Sequence, residues 1–318
     1  MRMLKNFLYV LGGAALSAII LVSLAGKQEK HSLVVNHPNG TLTIPKIPAD
    51  LNFAGEALKL NESDVRERLD RELLVNTFWH SNTILMLKRA HKYFPIIEPI
   101  LKENGVPDDF KYLCMIESGL SNVVSPSGAA GFWQFLSSTG KRYGLEVNNE
   151  VDERYHLAKA TQAACAYLKD NQEKLGSWTL AAAAYNMGEN GVERQLKSQG
   201  VDNYYDLHLN SETARYLFRI VAAKEIYSHQ EAYGFELEPD ALYSAIPTRS
   251  IQVDSTVNNW PEFALEQGSN YKYLKILNPW ISSRSLKNKS RKTYELKLPK
   301  SSKPASVNKV LEEDDQDE

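Results

Sequence analysis

The sequence predicts a mainly α-helical protein, in which a helical domain is followed by a small β-α-α-β module. Between residues 76 and 230 apolar side chains recur at the spacing of buried helix faces, and no stretch alternates as a strand does. After Gly234 the pattern changes, because residues 251–254 and 294–299 alternate between apolar and polar side chains and enclose two short helical segments. A chain of 318 residues has room for two such units.

Start and stop signals mark the helices of the first domain. A short helix is predicted to begin at residues 61–65, and a longer helical region covers residues 84–102. Pro95 and Pro99 are expected to kink or divide that longer region, since proline lacks the N–H that a helix interior needs. Residues 157–175 show a further amphipathic helical pattern with one apolar face.

A helix predicted between Pro107 and Gly119 carries a carboxylate, Glu117, on its apolar face. The other members of that face, at i, i+3 and i+4, are Phe110, Leu113 and Cys114. Burying an ionised carboxylate is costly, so such a group tends to hold its proton. A carboxylic acid that is protonated near neutral pH can protonate the leaving-group oxygen of a glycoside. The alternative is a solvated or salt-bridged glutamate at a helix end.

The residues that follow Glu117 predict a loop that could hold a sugar. Ser, Asn, Pro and Gly dominate residues 121–131, where Ser125 and Ser127 supply two hydroxyls. An aromatic and amide cluster with Gln134 follows at residues 132–135. Sugars bind to such mixtures of flat rings, amides and hydroxyls. Turn-forming serines, a core tryptophan and a surface glutamine would explain the same residues without a ligand.

Two later helices place polar side chains at their ends. An alanine-rich helix is predicted to close at Gly188, so that Tyr185 and Asn186 emerge where they can reach a cleft. Another helix is predicted to start at a polar cap at residues 210–211, with Glu212 in its first turn. An acid in a first turn also complements the helix dipole, which is a sufficient structural explanation for Glu212.

Together these blocks resemble the catalytic domain of lytic transglycosylases, lysozyme-like enzymes that cleave peptidoglycan, especially the membrane-bound lytic murein transglycosylase D type. The resemblance covers residues 76–230, and its marks stand in order at 117–119, 125–135, 184–188 and 212–216. Met187 departs from the alanine expected there, and Ala214-Arg215 stands where arginine more often comes first. The resemblance implies that Glu117 is the single catalytic acid/base. It also implies a glycan cleft, with matching positions at Ser125, Ser127, Gln134, Tyr185, Asn186 and Glu212.

A second catalytic acid is missing from the sequence pattern. Glycoside hydrolysis needs two carboxylates, about 5–5.5 Å apart in retaining enzymes and about 6.5–9.5 Å apart in inverting ones. Asp152 and Glu153 are the nearest downstream pair, but their polar surroundings predict a solvated turn. The resemblance implies instead that Glu117 works alone and that the products carry 1,6-anhydro ends. Lysozyme-type hydrolysis and a catalytically inactive scaffold that binds the cell wall remain the alternatives.

The N-terminus predicts export. Arg2 and Lys5 precede an uncharged, mostly apolar run at residues 7–26, which is long enough to span a bilayer. Ser23-Leu24-Ala25 also resembles a cleavage site, so a cleaved signal and an uncleaved membrane anchor both remain open. Either one places the protein in the periplasm or cell envelope, where peptidoglycan glycan strands are the expected partner. The net charge of −2 gives no sign of nucleic-acid binding.

The C-terminal module resembles a LysM peptidoglycan-binding module in residues 274–279 and 296–299. The usual opening strand with its Gly-Asp turn is missing, so a structural appendage of the catalytic domain is an equal alternative. The predicted organisation is a signal or anchor at 1–26, a tether and entry segment at 27–75, the catalytic domain at 76–235, a linker at 236–249, a degenerate LysM-like module at 250–300 and a disordered acidic tail at 301–318.

Neither a cofactor nor a metal site is predicted. The seven histidines are scattered without ligand spacing. Cys114 and Cys165 both lie on apolar helix faces, which favours two buried thiols that act as small apolar side chains. An oxidising compartment would also permit a disulfide between them.

Overall fold

The computed structural model describes residues 32–37 and 40–300. The predicted signal or anchor at 7–26 and the predicted acidic tail at 301–318 lie outside these residues. The chain divides into two units at residues 1–48 and 49–318. In the first unit, strand β1 (Ser32–His37) pairs with β2 (Gly40–Pro45) as an antiparallel hairpin. Within the two described ranges, no helix has the length and apolar character needed to cross a bilayer.

The second unit is built mainly of helices, which confirms the predicted fold class. A two-stranded antiparallel pair, β3 (Asn52–Phe53) and β4 (Glu56–Ala57), precedes them. The helices are α1 (Ser63–Phe78), α2 (His80–Glu103), α3 (Phe110–Ser118), α4 (Ser137–Arg142), α5 (Leu157–Leu175), α6 (Trp178–Met187), α7 (Glu189–Gln199) and α8 (Ser211–Ser228). Helix α8 packs against α1, α3 and α6, and α5 packs against α2 and α6.

Of the two effects expected from Pro95 and Pro99, a kink or a division, the division does not occur, because helix α2 is continuous through both prolines. Each proline removes one backbone donor from the helix. The helix nevertheless buries Phe94, Ile97 and Leu101, which are at most 1% exposed. Burial of these apolar side chains along one face offsets the loss of the two donors.

Residues 49–75, the later part of the predicted tether and entry segment, belong to the second unit. Phe53 is fully buried, and its ring lies 5.1 Å from that of Phe110 at the start of α3. Glu56 caps α6, since its carboxylate oxygens accept the backbone N–H groups of Trp178 at 2.6 Å and Thr179 at 3.0 Å. A carboxylate at a helix N-terminus satisfies free backbone donors and complements the helix dipole. The predicted short helix near residue 61 is the long helix α1.

The two cysteines are buried and free, as the favoured prediction held. Cys114 in α3 and Cys165 in α5 both have no exposed surface. The Cys114 thiol donates to the Phe132 carbonyl at 3.5 Å, and the Cys165 thiol lies 3.9 Å from the Ile100 carbonyl. Both therefore behave as packing residues of the helical core.

The C-terminal module has the predicted β-α-α-β order. Strand β5 (Thr248–Val253) pairs antiparallel with β6 (Tyr294–Pro299), and helices α9 (Trp260–Glu266) and α10 (Tyr271–Leu277) lie between them in the chain. The module has its own apolar core, built chiefly from Trp260, Ala264, Leu274, Leu296 and Leu298. The strands alternate because their buried residues face this core.

Residues 146–153 of the helical domain join this module. Val151 is 1% exposed and belongs to the module's core, where it forms a bridge with Ile281. The Asp152 N–H donates to the Trp280 carbonyl at 2.8 Å. The Lys292 ammonium also lies 2.5 Å from the Glu146 carboxylate. These contacts pack the module on the helical domain.

Changing Val151→Ala is expected to destabilise the protein by about 2 kcal/mol, because it removes two buried methyl groups and leaves a cavity. The measurement is the free energy of unfolding in urea. Val124→Ala is the matched control, since Val124 is 62% exposed and its loss should stay within about 0.5 kcal/mol. Equal losses for the two variants would contradict the shared core.

Candidate active site

Glu117 lies in the last turn of α3, where the fold holds it against α8. The preceding face of α3 packs as predicted, because Phe110, Leu113 and Cys114 are all fully buried. Gly119 ends the helix in the left-handed conformation, with φ of 59°, and its N–H donates to the Met115 carbonyl at 2.8 Å. A glycine adopts this conformation without strain. The turn leaves the Glu117 side chain half-buried at the helix end.

Two side chains of α8 hold this end of α3. The Tyr216 hydroxyl donates a hydrogen bond to Oε1 of Glu117. Tyr216 itself is 1% exposed, so its hydroxyl is held in place by the core. Arg219, one turn further along α8, donates to the Ile116 carbonyl at 3.1 Å. The sequence reasoning assigned no role to Tyr216 or Arg219, although Tyr216 stands in the block at 212–216.

Burial raises the pKa of Glu117 above its ordinary value. The Tyr216 hydrogen bond and the Arg219 charge lower the pKa, and the charge of Glu212 raises it. The net direction is upward, so the protonated acid is favoured to a higher pH than for a free glutamate. The position of Glu117 on an apolar helix face predicted this upward shift of its pKa.

The predicted loop lies beside Glu117, and its polar side chains hold one another. The hydroxyls of Ser125 and Ser127 lie 2.9 Å apart, and Ser125 also accepts the Ala129 N–H at 3.0 Å. The Gln134 amide donates to the carbonyls of Gly131 at 2.7 Å and Val123 at 3.1 Å. Ser125 and Gln134 therefore shape the loop, while Ser127 remains exposed.

Tyr185 connects helix α6 to this loop. Its hydroxyl donates to the Trp133 carbonyl at 2.6 Å. Trp133 is fully buried and donates from its indole to the Thr161 hydroxyl at 2.9 Å, so it is a core residue. The end of α6 and the loop are thereby fixed to each other on one side of Glu117.

Asn186 connects α6 to the start of α8. Its amide nitrogen donates to a Glu212 oxygen at 3.3 Å, and its amide oxygen accepts from the Thr213 hydroxyl at 2.7 Å. Asn210 caps α8 as predicted, and its side chain accepts the N–H groups of Glu212 and Thr213. The exposed Glu212 is thus a second carboxylate near Glu117, close enough for its charge to raise that residue's pKa.

Asp152 and Glu153 do not form the solvated turn that the sequence predicted. Asp152 is 8% exposed and Glu153 is 3% exposed. The guanidinium of Arg154 binds both Asp152 oxygens, at 2.9 and 2.7 Å, and Lys159 lies 2.5 Å from Glu153. Ion pairs of this kind compensate buried carboxylates. The C-terminal module covers the segment, and Lys292 of that module lies 3.6 Å from Glu153.

Arg154 is a residue that sequence reasoning missed, and it supports the loop. Its guanidinium donates to the carbonyls of Gly128 at 2.9 Å and Phe135 at 3.1 Å. Its own backbone lies against Gly131, where an added Cβ would stand 2.0 Å from the Arg154 carbonyl oxygen. Gly131 also has a φ of +80°, which side-chain-bearing residues rarely adopt. The loop therefore requires glycine at residue 131 and rests on the Asp152–Arg154 pair.

Comparisons with known proteins match two segments of this chain. A family model described as the Transglycosylase SLT domain matches residues 94–207, and one described as the Soluble lytic transglycosylase C-terminal LysM-like domain matches residues 249–302. The proteins named membrane-bound lytic murein transglycosylase D from Escherichia coli strain K12 and from Escherichia coli O6:H1 strain CFT073 are each 30% identical over 194 residues. These matches cover 58% of this chain and 42% of each relative, so the chain spans less than half the length of these relatives.

A solved structure, that of an inactive mutant of lytic transglycosylase Slt from Pseudomonas aeruginosa, is 20% identical in sequence with a TM-score of 0.36. It covers 48% of this chain and 26% of the other chain. The SLT match contains Glu117, the loop and the end of α6, and the second match contains both strands of the C-terminal module. Residues 94–207 therefore match a transglycosylase SLT domain, and residues 249–302 match a LysM-like domain of the soluble lytic transglycosylase type.

Proposed function

We propose that the protein is a peptidoglycan lytic transglycosylase with Glu117 as its single general acid/base. It cleaves the β-1,4 bond between N-acetylmuramic acid and N-acetylglucosamine without water and leaves 1,6-anhydro ends. The observation that carries the proposal is Glu117 itself, a half-buried acid with a raised pKa, inside an SLT domain. The names of the two Escherichia coli relatives support the same activity.

In the proposed reaction Glu117 takes part in two proton transfers, first as an acid and then as a base. The carboxylic acid first gives its proton to the glycosidic oxygen as the bond from C1 to that oxygen breaks. The resulting carboxylate then takes a proton from the C6 hydroxyl of the same muramic acid as O6 bonds to C1. The acid is restored and no water is consumed, so a second carboxylate is not needed as nucleophile or base.

Tyr216 and Arg219 stabilise Glu117 in the step in which it is a carboxylate. A hydrogen bond from Tyr216 and the nearby Arg219 charge favour the ionised form of Glu117, whereas burial favours the protonated form. These opposed effects keep the group available as an acid and still allow it to act as a base. Efficient proton transfer needs a pKa near the working pH, and the raised pKa of Glu117 moves in that direction.

The glycan cleft is proposed to run past Ser125, Ser127, Gln134, Tyr185, Asn186 and Glu212. Their hydrogen bonds suggest two kinds of contribution. Exposed Ser127 and Glu212 are the side chains most available for sugar hydroxyl groups. Ser125, Gln134 and Tyr185 act mainly by holding the loop in shape.

The proposed site of action is the cell envelope, where peptidoglycan lies. The apolar run at residues 7–26 and the description of the relatives as membrane-bound support this location, with the run acting as a signal or an anchor. The LysM-like domain is proposed mainly to support the catalytic domain, because it shares Val151 and Asp152 with it.

The change Tyr216→Phe is expected to move the alkaline limb of the pH–rate profile to higher pH. The lost hydrogen bond had favoured the Glu117 carboxylate, so the pKa of Glu117 rises further and the acid stays protonated to a higher pH. The measurement is the initial rate of peptidoglycan cleavage across pH. Tyr233→Phe is the control, because the Tyr233 hydroxyl binds Glu225 instead. A limb that stays in place or moves to lower pH would contradict the assignment.

A direct test of the proposed activity is the clearing of a suspension of purified sacculi. The wild-type protein should reduce the turbidity, and Glu117→Gln should bind the sacculi without clearing them. The competing function, a cell-wall scaffold, predicts that both proteins sediment with the sacculi and that neither clears them. If both proteins cleared the suspension to the same extent, Glu117 would not be the catalytic acid/base.

A further inference from the structure

A cavity of about 490 Å³ lies between helices α1 and α2 on one side and the ends of α3 and α8 on the other. Ile116 and Gly119, on either side of the Glu117-Ser118 pair, form part of its wall. Glu212 and Arg219 also line it, and both influence the pKa of Glu117. The cavity therefore lies at the end of α3 that carries Glu117. Its volume is in the range of sites that bind small molecules.

The opposite wall comes from helices α1 and α2 and includes Trp79. Trp79 is 59% exposed, whereas Trp133, Trp260 and Trp280 are at most 4% exposed. An exposed indole gives up much of the stability that burying a large ring provides. An exposed indole in the wall of a cavity offers an aromatic face on which a ligand can stack.

The backbone of Trp79 is held firmly, although its ring is exposed. Its N–H donates to the Val75 carbonyl at 2.9 Å, and its carbonyl accepts the Thr83 N–H at 3.1 Å. The junction of α1 and α2 is fixed further by the Thr83 hydroxyl, which donates to the Asn76 carbonyl at 2.5 Å. The ring is thus presented at a rigid helix junction, which lowers the entropy cost of binding.

The charges of the wall suit a neutral polar ligand. The wall carries two carboxylates, Glu72 and Glu212, and two guanidinium groups, those of Arg215 and Arg219. Arg215 binds Glu72 at 2.6 and 3.3 Å, so one pair is already neutralised. The amides of two asparagines, at residues 76 and 82, add hydrogen-bonding groups. An aromatic face among amides and balanced charges matches a pyranose ring with N-acetyl and hydroxyl substituents.

We propose that Trp79 is the stacking platform of a glycan subsite that holds an N-acetylhexosamine unit next to the reacting bond. The inference rests on the proposed function, because it names a further unit of the same substrate. Trp79, Asn76 and Asn82 all precede residue 94, so this wall lies outside the matched SLT domain. The helices before that domain would then contribute to substrate binding as well as to the fold.

The test uses the full chain with Glu117→Gln, which is expected to bind without turnover, labelled with 5-fluorotryptophan. The chain has five tryptophans, and the resonance of Trp79 is identified by its loss in Trp79→Phe. On titration with chitotetraose, an oligomer of N-acetylglucosamine, the Trp79 signal should shift while those of buried Trp260 and Trp280 stay in place. A Trp79 signal that does not move at saturation would overturn the proposal.

Affinity gives an independent readout by calorimetry with the same oligomer. Trp79→Ala should weaken binding about tenfold, and Trp79→Phe by no more than about threefold because it retains an aromatic face. Tyr243→Ala is the control, since Tyr243 is an exposed aromatic residue, 40% accessible, that does not line this cavity. Equal affinity of Trp79→Ala and its parent would overturn the proposal. Circular dichroism of each variant confirms that it has folded.

Failure of this inference can be distinguished from failure of the proposed function. Products of the wild-type protein on sacculi report the function alone. Anhydro ends together with an unmoved Trp79 signal would contradict only the subsite. A shifted Trp79 signal without anhydro ends would contradict only the transglycosylase reaction.

Discussion

Changing Glu117→Gln is expected to abolish peptidoglycan cleavage while the fold and glycan binding remain. Glutamine keeps the size of the side chain and can still accept the Tyr216 hydrogen bond. It cannot deliver or take up the proton in either step of the reaction. Loss of a general acid or base alone lowers the rate by about 10²–10⁴-fold, and here one residue serves both roles, so we expect the upper end of that range or more. The measurement is the initial rate of cleavage of purified sacculi.

The same variant should also be more stable than the wild type at neutral pH. The pKa of Glu117 is raised in the folded state, so folding favours the protonated form. The stability that depends on this proton is present at low pH and is lost as pH rises from the unfolded pKa through the folded one. Glutamine does not ionise, so the variant should be more stable than the wild type at neutral pH, and this difference in stability should shrink on acidification. Thermal unfolding at several pH values measures this difference.

Glu225→Gln is the matched control for both measurements. Glu225 is a buried glutamate of α8, 8% exposed, and it pairs with His229 and Tyr233 away from Glu117. This variant should retain cleavage activity. Wild-type rates for Glu117→Gln, or an equal loss of activity in Glu225→Gln, would contradict the catalytic assignment.

Changing Gly131→Ala is expected to lower activity at least about 100-fold, because it moves the loop that borders Glu117. The new Cβ would lie 2.0 Å from the Arg154 carbonyl oxygen, a distance that requires the backbone to shift. That shift would disturb the contacts of Arg154 with Gly128 and Phe135 and of Gln134 with Gly131. The measurement combines the rate of sacculus cleavage with the free energy of unfolding.

Gly128→Ala separates steric overlap from backbone strain. Gly128 has a φ of +81°, close to the +80° of Gly131, but an added Cβ there meets no atom within 4 Å. Both variants should lose stability from the left-handed conformation, by about 1–3 kcal/mol. Only Gly131→Ala should lose most of its activity. Equal activity losses would show that strain alone, and not the contact with Arg154, accounts for the effect.

Local sequence signals predicted the parts of the fold that depend on neighbours in the chain. Helix α3 followed from an apolar face and a terminal Gly119, and α8 followed from its Asn210 cap. The β-α-α-β module followed from two alternating segments. The continuity of α2 through Pro95 and Pro99 could not be predicted, because it depends on burial against other elements.

In the candidate site, too, the sequence predicted what depends on neighbours in the chain and missed what depends on distant elements. The position of Glu117 on an apolar face predicted its raised pKa, since burial is the largest cause of the shift. The polar residues at 152–154 predicted a turn exposed to solvent, and this was wrong. The C-terminal module, which lies more than one hundred residues later in the chain, packs against them and buries them. Trp79 carried no local signal, since its exposure is visible only once α1 and α2 have been placed.

The most direct measurement is mass spectrometry of the muropeptides released from sacculi by the wild-type protein in water enriched in ¹⁸O. Glu117 acting as sole acid and base predicts 1,6-anhydro products, each lighter by one water than the hydrolysis product and free of the label. Reducing-end products that carry ¹⁸O would contradict this mechanism, because they would show that water and not the C6 hydroxyl had attacked C1.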